Sequence, residues 1–249
     1  MPLRTLSNFA TSLRARSLQE LAPFAIFALI AAMIAVFAKI ADEVAEGETH
    51  AFDQAVLRAL RNPNDLADPI GPAWLELAMR DITSLGGFTV VILVTLAAIG
   101  YLVIDGKRAA ALFVMVSIAG GTVLSEGLKH LFARPRPDLV AHLVEVQTAS
   151  FPSGHAMLSA VIFLTLGALL ARIQSRRRLK AYVISVAIVL TLMIGASRVY
   201  LGVHWPTDVL AGWCAGAAWA MGCWLLAMWL QSRGRIEEPD SNGTSGSVG

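Results

Sequence analysis

The sequence predicts an all-α, polytopic membrane protein built as a bundle of six transmembrane helices. Three observations carry this reading: six long apolar runs, basic residues gathered in alternate connections, and polar clusters gathered in the others. Hydrophobic residues make up 56% of the 249 positions and charged residues only 15%. A soluble domain of this length needs more polar surface than that.

The runs cover residues 21–38, 87–104, 109–125, 156–171, 181–197 and 209–230. A membrane-spanning helix takes about 20 mainly apolar residues, with about 17–25 tolerated. The fourth run is a little short and gains length from its polar shoulder, Ser153 to His155. A soluble protein with buried helices is the alternative, but six such helices of bilayer length in one chain argue against it. The first run is too long for the core of a cleaved signal peptide and lacks a small-x-small site after it.

Formal net charge is only +2, so its placement says more than its sum. Arg4, Arg14 and Arg16 precede the first run, and Lys107 and Arg108 join the second to the third. Arg172, Arg176, Arg177, Arg178 and Lys180 join the fourth to the fifth, and Arg233 and Arg235 follow the sixth. These twelve of the twenty Lys and Arg residues fall on one side of a six-span zigzag. Basic connections favour the cytoplasm. The expectation is a multi-pass protein of the inner (plasma) membrane with both termini cytoplasmic.

Residues 1–20 read as a basic lead-in and 231–249, rich in Ser, Gly and acidic residues, as a disordered tail. The domain proper is 21–230. Its longest connection, 39–86, is expected outside. There Phe52, Val56, Leu57 and Leu60 recur at helical spacing among Asp53, Arg58 and Arg61. Trp74, Leu75, Leu77 and Met79 extend the apolar character toward the second span. A helical hairpin packed on the bundle is favoured; an interfacial ramp for a lipid is the alternative. In the sixth span Gly212 and Gly216 form a GxxxG that suits close helix packing. Cys214 and Cys223 lie about 13 Å apart along that helix, too far for a disulfide.

Ionisable residues beside the hydrocarbon core are costly, so each cluster of them asks for a function. Three occur, all at outer helix ends. Lys129, Arg134 and Arg136 close the third span, where Pro135 and Pro137 stop the helix. They read as an anion site or as an ordinary basic helix end. Ser150-Phe-Pro-Ser-Gly-His155 opens the fourth span. Free N–H groups of Ser153 and Gly154 there suit a phosphate, or the segment is a plain helix cap. Ser197, Arg198, His204 and Asp208 bridge spans five and six. Pro206 starts the sixth helix, so Asp208 lies one turn beyond His204 and can hold its tautomer, or the pair is structural. Together they give at least three cations, two histidines, a carboxylate and two helix N-termini, an inventory suited to phosphoryl transfer.

Lys129-x6-Arg136-Pro137, Pro152-Ser153-Gly154-His155 and Ser197-Arg198-x5-His204-x3-Asp208 resemble the three signatures of the type 2 phosphatidic-acid phosphatase superfamily. The resemblance covers about residues 20–230, and its spacing selects Arg136 rather than Arg134. It implies that His204 is the nucleophile, that Asp208 orients it, and that His155 is acid and then base. Lys129, Arg136, Arg198, Ser153 and Gly154 would hold the phosphate of a lipid phosphate or diphosphate. No metal or cofactor is implied, and the sequence contains no HExxH or Asp-x-Asp-x-Thr. No nucleic-acid partner is expected. Glu126 is a candidate support for Lys129 or partner for His130, while His50 and His142 are expected in solvent. A phosphotransferase with the same site and a non-catalytic anion transporter are the competing functions.

Overall fold

The computed structural model describes residues 3–145 and 148–232, with side chains from 23 to 231. The side chains of Arg4, Arg14 and Arg16, together with Arg233, Arg235 and the tail, lie outside the described residues. Eight helices and one short ribbon follow in order: α1 Leu3–Glu46, α2 His50–Ala59, β1 Arg61–Asn62, β2 Asp65–Pro69, α3 Ala73–Ser84, α4 Phe88–Ile104, α5 Arg108–Phe132, α6 Gly154–Ile173, α7 Arg177–Tyr200 and α8 Pro206–Ser232.

Five helices are long and apolar enough to cross a membrane alone, and α3 with α4 makes a sixth span bent by 47°. The bend has a local cause. Alone, α4 has 17 residues, about 25 Å of rise, which is short of the ~30 Å hydrocarbon core. Leu85-Gly86-Gly87 breaks the helix. A Cβ on Gly86 would strike Ile194 of α7, and it would lie 3.5 Å from both the Cδ2 and the carbonyl oxygen of His155. The elbow therefore seats bare backbone on α7, within ordinary contact of a residue of the second motif.

Helix α6 is the centre of the bundle and packs on α5, α7 and α8, while α1 leans chiefly on α8. Large apolar side chains such as Phe27, Leu93, Leu96 and Tyr101 point outward, as expected where the surrounding solvent is lipid. The interior is stitched by polar contacts. Ser117 and Thr165 hydroxyls meet at 3.0 Å, Trp219 Nε1 donates to the Ser117 carbonyl at 2.7 Å, and Trp213 Nε1 to the Thr191 carbonyl at 3.1 Å. The GxxxG glycines serve packing within the chain. A Cβ on Gly212 would lie 2.7 Å from the Ser153 carbonyl, and one on Gly216 would strike the Met157 carbonyl. Both cysteines are free thiols.

The 39–86 connection differs from a simple helical hairpin. After α2 the chain forms an antiparallel ribbon, with Asn62 opposite Asp65 and Arg61 opposite Pro69. The Asn62 carboxamide oxygen accepts from Asn64 N–H across the turn at 3.1 Å, the side-chain mimicry that makes Asn a turn former. α2 does pack on the bundle, with Leu57 in a core beside Val199, Trp205 and Val209. Its faces are nevertheless not those of a simple amphipathic helix. Asp53 is fully buried and Arg61, just beyond the helix end, is 1% exposed, whereas Phe52 is 53% exposed. The buried stripe is Asp53–Leu57–Arg61: Asp53 meets a buried cation in Arg134, and Arg61 reaches the Tyr200 carbonyl.

Candidate functional site

Alternating helix directions bring the C-termini of α5 and α7, the N-termini of α6 and α8, and the α3–α4 elbow to one end of the bundle. Ala133, at φ 44°, ends α5 in the left-handed region, and the chain leaves through two Arg-Pro pairs. The α6 entry is anchored by Phe151, which is fully buried. Its ring lies 4.9 Å from Phe132 and 5.9 Å from Phe37. Ser153 caps α6 by accepting from Ala156 N–H. The positive φ of Gly202, 76°, turns the chain between α7 and α8, where a side chain would also meet the Ala141 carbonyl at 2.8 Å.

At the centre stands His204, 2% exposed. Its Nδ1 faces Asp208 Oδ2 at 3.4 Å and Ser150 Oγ at 3.4 Å. Asp208 is fully buried and accepts from four directions: His204, the Ser150 hydroxyl in a very short hydrogen bond, Trp205 N–H at 2.9 Å, and Arg134 Nη1 at 2.6 Å. An imidazole whose Nδ1–H points at a carboxylate carries its lone pair on Nε2. That atom lies 3.1 Å from Arg136 Nη1. Burial pushes the His204 pKa down to about 4, partly opposed by its hydrogen bond to Asp208. The ring is therefore neutral and nucleophilic across the physiological range.

Arg136 donates through Nη1 to the Val203 carbonyl at 2.7 Å and through Nε to the Thr148 carbonyl at 2.7 Å. Burial lowers its pKa from the usual arginine value. Lys129 Nζ pairs with Glu126 at 3.1 Å and reaches Thr148 Oγ1 at 3.4 Å, so Glu126 supports Lys129 and not His130. Arg198 is 4% exposed and donates to Thr83 Oγ1 at 3.0 Å. Its buried Nε–H has no partner among the described residues, a donor that an incoming anion would satisfy. The cations Arg198, Lys129 and Arg136 all act on the ring of His155. His155 and Arg198 line an open cleft of about 420 Å³ with Thr83, Gly87, Phe88 and Val144. Among the described residues no three His, Cys, Asp or Glu side chains converge in a way that would hold a metal ion.

The eight residues singled out in the sequence thus sit at one end of the bundle, with two refinements. Ser153 N–H already donates to the Asp208 carbonyl at 2.9 Å, so it joins α6 to α8 instead of standing free as a phosphate donor. Gly154, whose Cβ would lie 3.0 Å from Lys129 Nζ, opens the helix directly beneath that cation. Of the remaining histidines, His50 is exposed and stands edge-on to Trp205, and His142 donates to the Pro137 carbonyl at 2.6 Å. Sequence reasoning gave no site role to Thr83, Thr148, Asp53 and Arg61, and it read Ser150 only as part of the helix start. The hydroxyls carry no sequence signal of their own, since Ser and Thr are common everywhere. Arg61, which donates to the Tyr200 carbonyl at 2.9 Å, looked like the polar edge of an amphipathic helix.

Comparison with known proteins gives the family. A family model described as the PAP2 superfamily matches residues 110–232, from α5 through α8. Phosphatidylglycerophosphatase B of Bacillus subtilis is 34% identical over 147 residues, which cover 57% of this chain and 70% of that protein. An undecaprenyl-diphosphatase of Sulfolobus acidocaldarius is 30% identical, over 55% of this chain and 63% of its own length. The crystal structure of a transmembrane PAP2-type phosphatidylglycerolphosphate phosphatase from Bacillus subtilis superposes with a TM-score of 0.71 at 26% identity, covering 82% of this chain and 96% of that one. Three motifs gathered at one end of a six-span bundle, and a relative matched over most of its length, have one explanation: the chain belongs to the PAP2 superfamily.

Proposed function

We propose that the protein is a membrane lipid phosphatase that hydrolyses a lipid phosphate or diphosphate monoester through a phosphohistidine at His204. The observation that carries this reading is the polarity of the His204 ring. One nitrogen is tied to the buried Asp208, and the other is presented at 3.1 Å to the cation Arg136. A phosphoryl group drawn in by Arg136, Arg198 and Lys129 meets Nε2.

In the first step the Nε2 lone pair forms the N–P bond as the bond from phosphorus to the leaving oxygen breaks. His155 gives that oxygen its proton. In the second step His155 takes a proton from water, the water oxygen bonds phosphorus and the N–P bond breaks, regenerating His204. The cations and the α6 N-terminus supply the positive charge that the transition state requires, so the reaction runs without a divalent metal.

The relatives' names put phosphatidylglycerol phosphate and polyprenyl diphosphates first among the lipids to be tried. In this reading the site faces the outside of the inner membrane, which Lys107, Arg108 and the basic run at 172–180 support, since they join helices at the end away from the site and basic connections favour the cytoplasm. Release of inorganic phosphate from a panel of detergent-solubilised lipid phosphates, with and without EDTA, tests the reading. Turnover of at least one lipid that survives chelation is expected. Inactivity on the whole panel, or loss on chelation restored by magnesium, refutes it.

A further inference from the structure

Asp53 takes no part in the scheme above, yet it is fully buried. It sits in the first turn of α2 and binds two residues beside the site. Its Oδ1 accepts from Thr207 N–H at 3.0 Å, and its Oδ2 from Thr207 Oγ1 at 2.7 Å and Arg134 Nη2 at 2.8 Å. The same guanidinium donates from Nη2 to Thr49 Oγ1 at 2.9 Å, and from Nη1 to Thr207 Oγ1 at 2.9 Å and Asp208 Oδ1 at 2.6 Å. The guanidinium carbon of Arg134 lies 5.5 Å from the centre of the Trp205 ring. One buried cation is thus shared by two buried carboxylates, one from α2 and one from α8.

We propose that Asp53 is a positioning residue: it holds Arg134, and through it the orientation of Asp208 toward His204, and it leaves the cluster with a net negative charge facing that ring. This rests on the reading of His204 as nucleophile and Asp208 as its orienting carboxylate. The physical reason is charge balance in a dry site. Asp53, Arg134 and Asp208 together carry one net negative charge. That charge faces the His204 ring, which becomes cationic when phosphorylated. The other formal charges acting on the ring, Arg136 and Arg198, are both positive. Without Asp53 the Arg134–Asp208 pair is neutral, and the phosphoimidazolium loses its counter-charge. A carboxylate that only fastened α2 to the bundle would have no such consequence.

The test is a double-mutant cycle of Asp53→Asn and Asp208→Asn, read as kcat and KM on the best lipid and as the Ki of inorganic sulfate, an anion that forms no bond to His204. Asp53→Asn should lower kcat about 10- to 100-fold, the usual scale for a partner behind a reacting group. Sulfate affinity should not fall, because Lys129, Arg136 and Arg198 lie outside this network. In the Asp208→Asn background the same change should alter kcat by no more than about twofold, the ordinary error of additivity. Equal losses in both backgrounds, or parallel loss of sulfate binding, would overturn the proposal. If Asp53→Asn does not fold, Thr49→Val removes one hydrogen bond from the same guanidinium. Its smaller loss of kcat must likewise vanish beside Asp208→Asn. Nitrogen-15 shifts of the His204 ring, measured without substrate, separate this inference from the function. Shifts unmoved by Asp53→Asn sink the positioning role, while a wild-type protein inert on every lipid sinks the phosphatase reading.

Discussion

Asp208→Asn tests the site most sharply, because the structure dictates that neither orientation of the amide can satisfy it. Oδ1 receives Arg134 Nη1 at 2.6 Å, while Oδ2 receives the Ser150 hydroxyl, Trp205 N–H at 2.9 Å and His204 Nδ1 at 3.4 Å. If the amide oxygen takes the Oδ2 place, its NH2 group faces the Arg134 guanidinium, donor against donor. If it takes the Oδ1 place, the NH2 group faces Trp205 N–H and His204 Nδ1. His204 must then accept at Nδ1, its proton moves to Nε2, and the nucleophilic lone pair is gone. By analogy with triads in which the carboxylate becomes an amide, the rate should fall on the order of 10²–10⁴, or about 3–5 kcal/mol of barrier. Breaking a buried ion pair costs about 3–5 kcal/mol of stability. Here that is an upper bound, since Arg134 retains Asp53, Thr49 and Thr207. Single-turnover phosphate release alongside thermal unfolding in detergent measures both effects. Because nucleophile and orienting group act as a unit, His204→Ala with Asp208→Asn should be no worse than His204→Ala alone. A folded Asp208→Asn protein within tenfold of wild-type turnover would refute the assignment.

Three further outcomes are expected. His155→Ala should still be phosphorylated by an aryl phosphate, whose leaving group needs little protonation, and then hydrolyse slowly; rapid quench should show phosphohistidine accumulating, and its absence would move the acid–base role elsewhere. The depressed His204 pKa of about 4 against about 6.5 in the unfolded chain means the folded protein binds fewer protons between those values. This contribution to stability is complete above about pH 6.5 and is lost as pH falls through 4; unfolding midpoints of His204→Gln should therefore show a weaker acid dependence than wild type, and identical slopes would contradict it. For topology, Asn64→Cys and Ser175→Cys, both at exposed positions, should differ in whole cells, with an impermeant maleimide labelling only the first; the reverse pattern places the site in the cytoplasm.

The sequence by itself determined the apolar runs of five spans, the ends at which polar residues gather and the candidate site residues. Those depend on local physics: run length against bilayer thickness, proline and glycine at helix ends, and a one-turn spacing from His204 to Asp208. The short spacing brings imidazole and carboxylate within reach once the bend at His204 is closed by the Trp205 N–H bond to Asp208 at the start of α8. Tertiary structure decided what depends on partners far away in sequence. Arg134 and Arg136 are each followed by proline and look alike locally. Only the fold separates them, sending Arg134 to Asp53 and Asp208 and Arg136 to the face of His204. Asp53 reads as the solvated side of an amphipathic helix until its cation, 81 residues on, buries it. The second span reads as 87–104 because its other half is amphipathic, and α3 becomes part of it only when Thr83 meets Arg198 and the bare backbone of Gly86 meets His155. The Ser153 N–H reads as a free phosphate donor because a helix start leaves it unpaired. Its partner, the Asp208 carbonyl, is supplied by a helix whose approach only the packing of Gly212 and Gly216 permits.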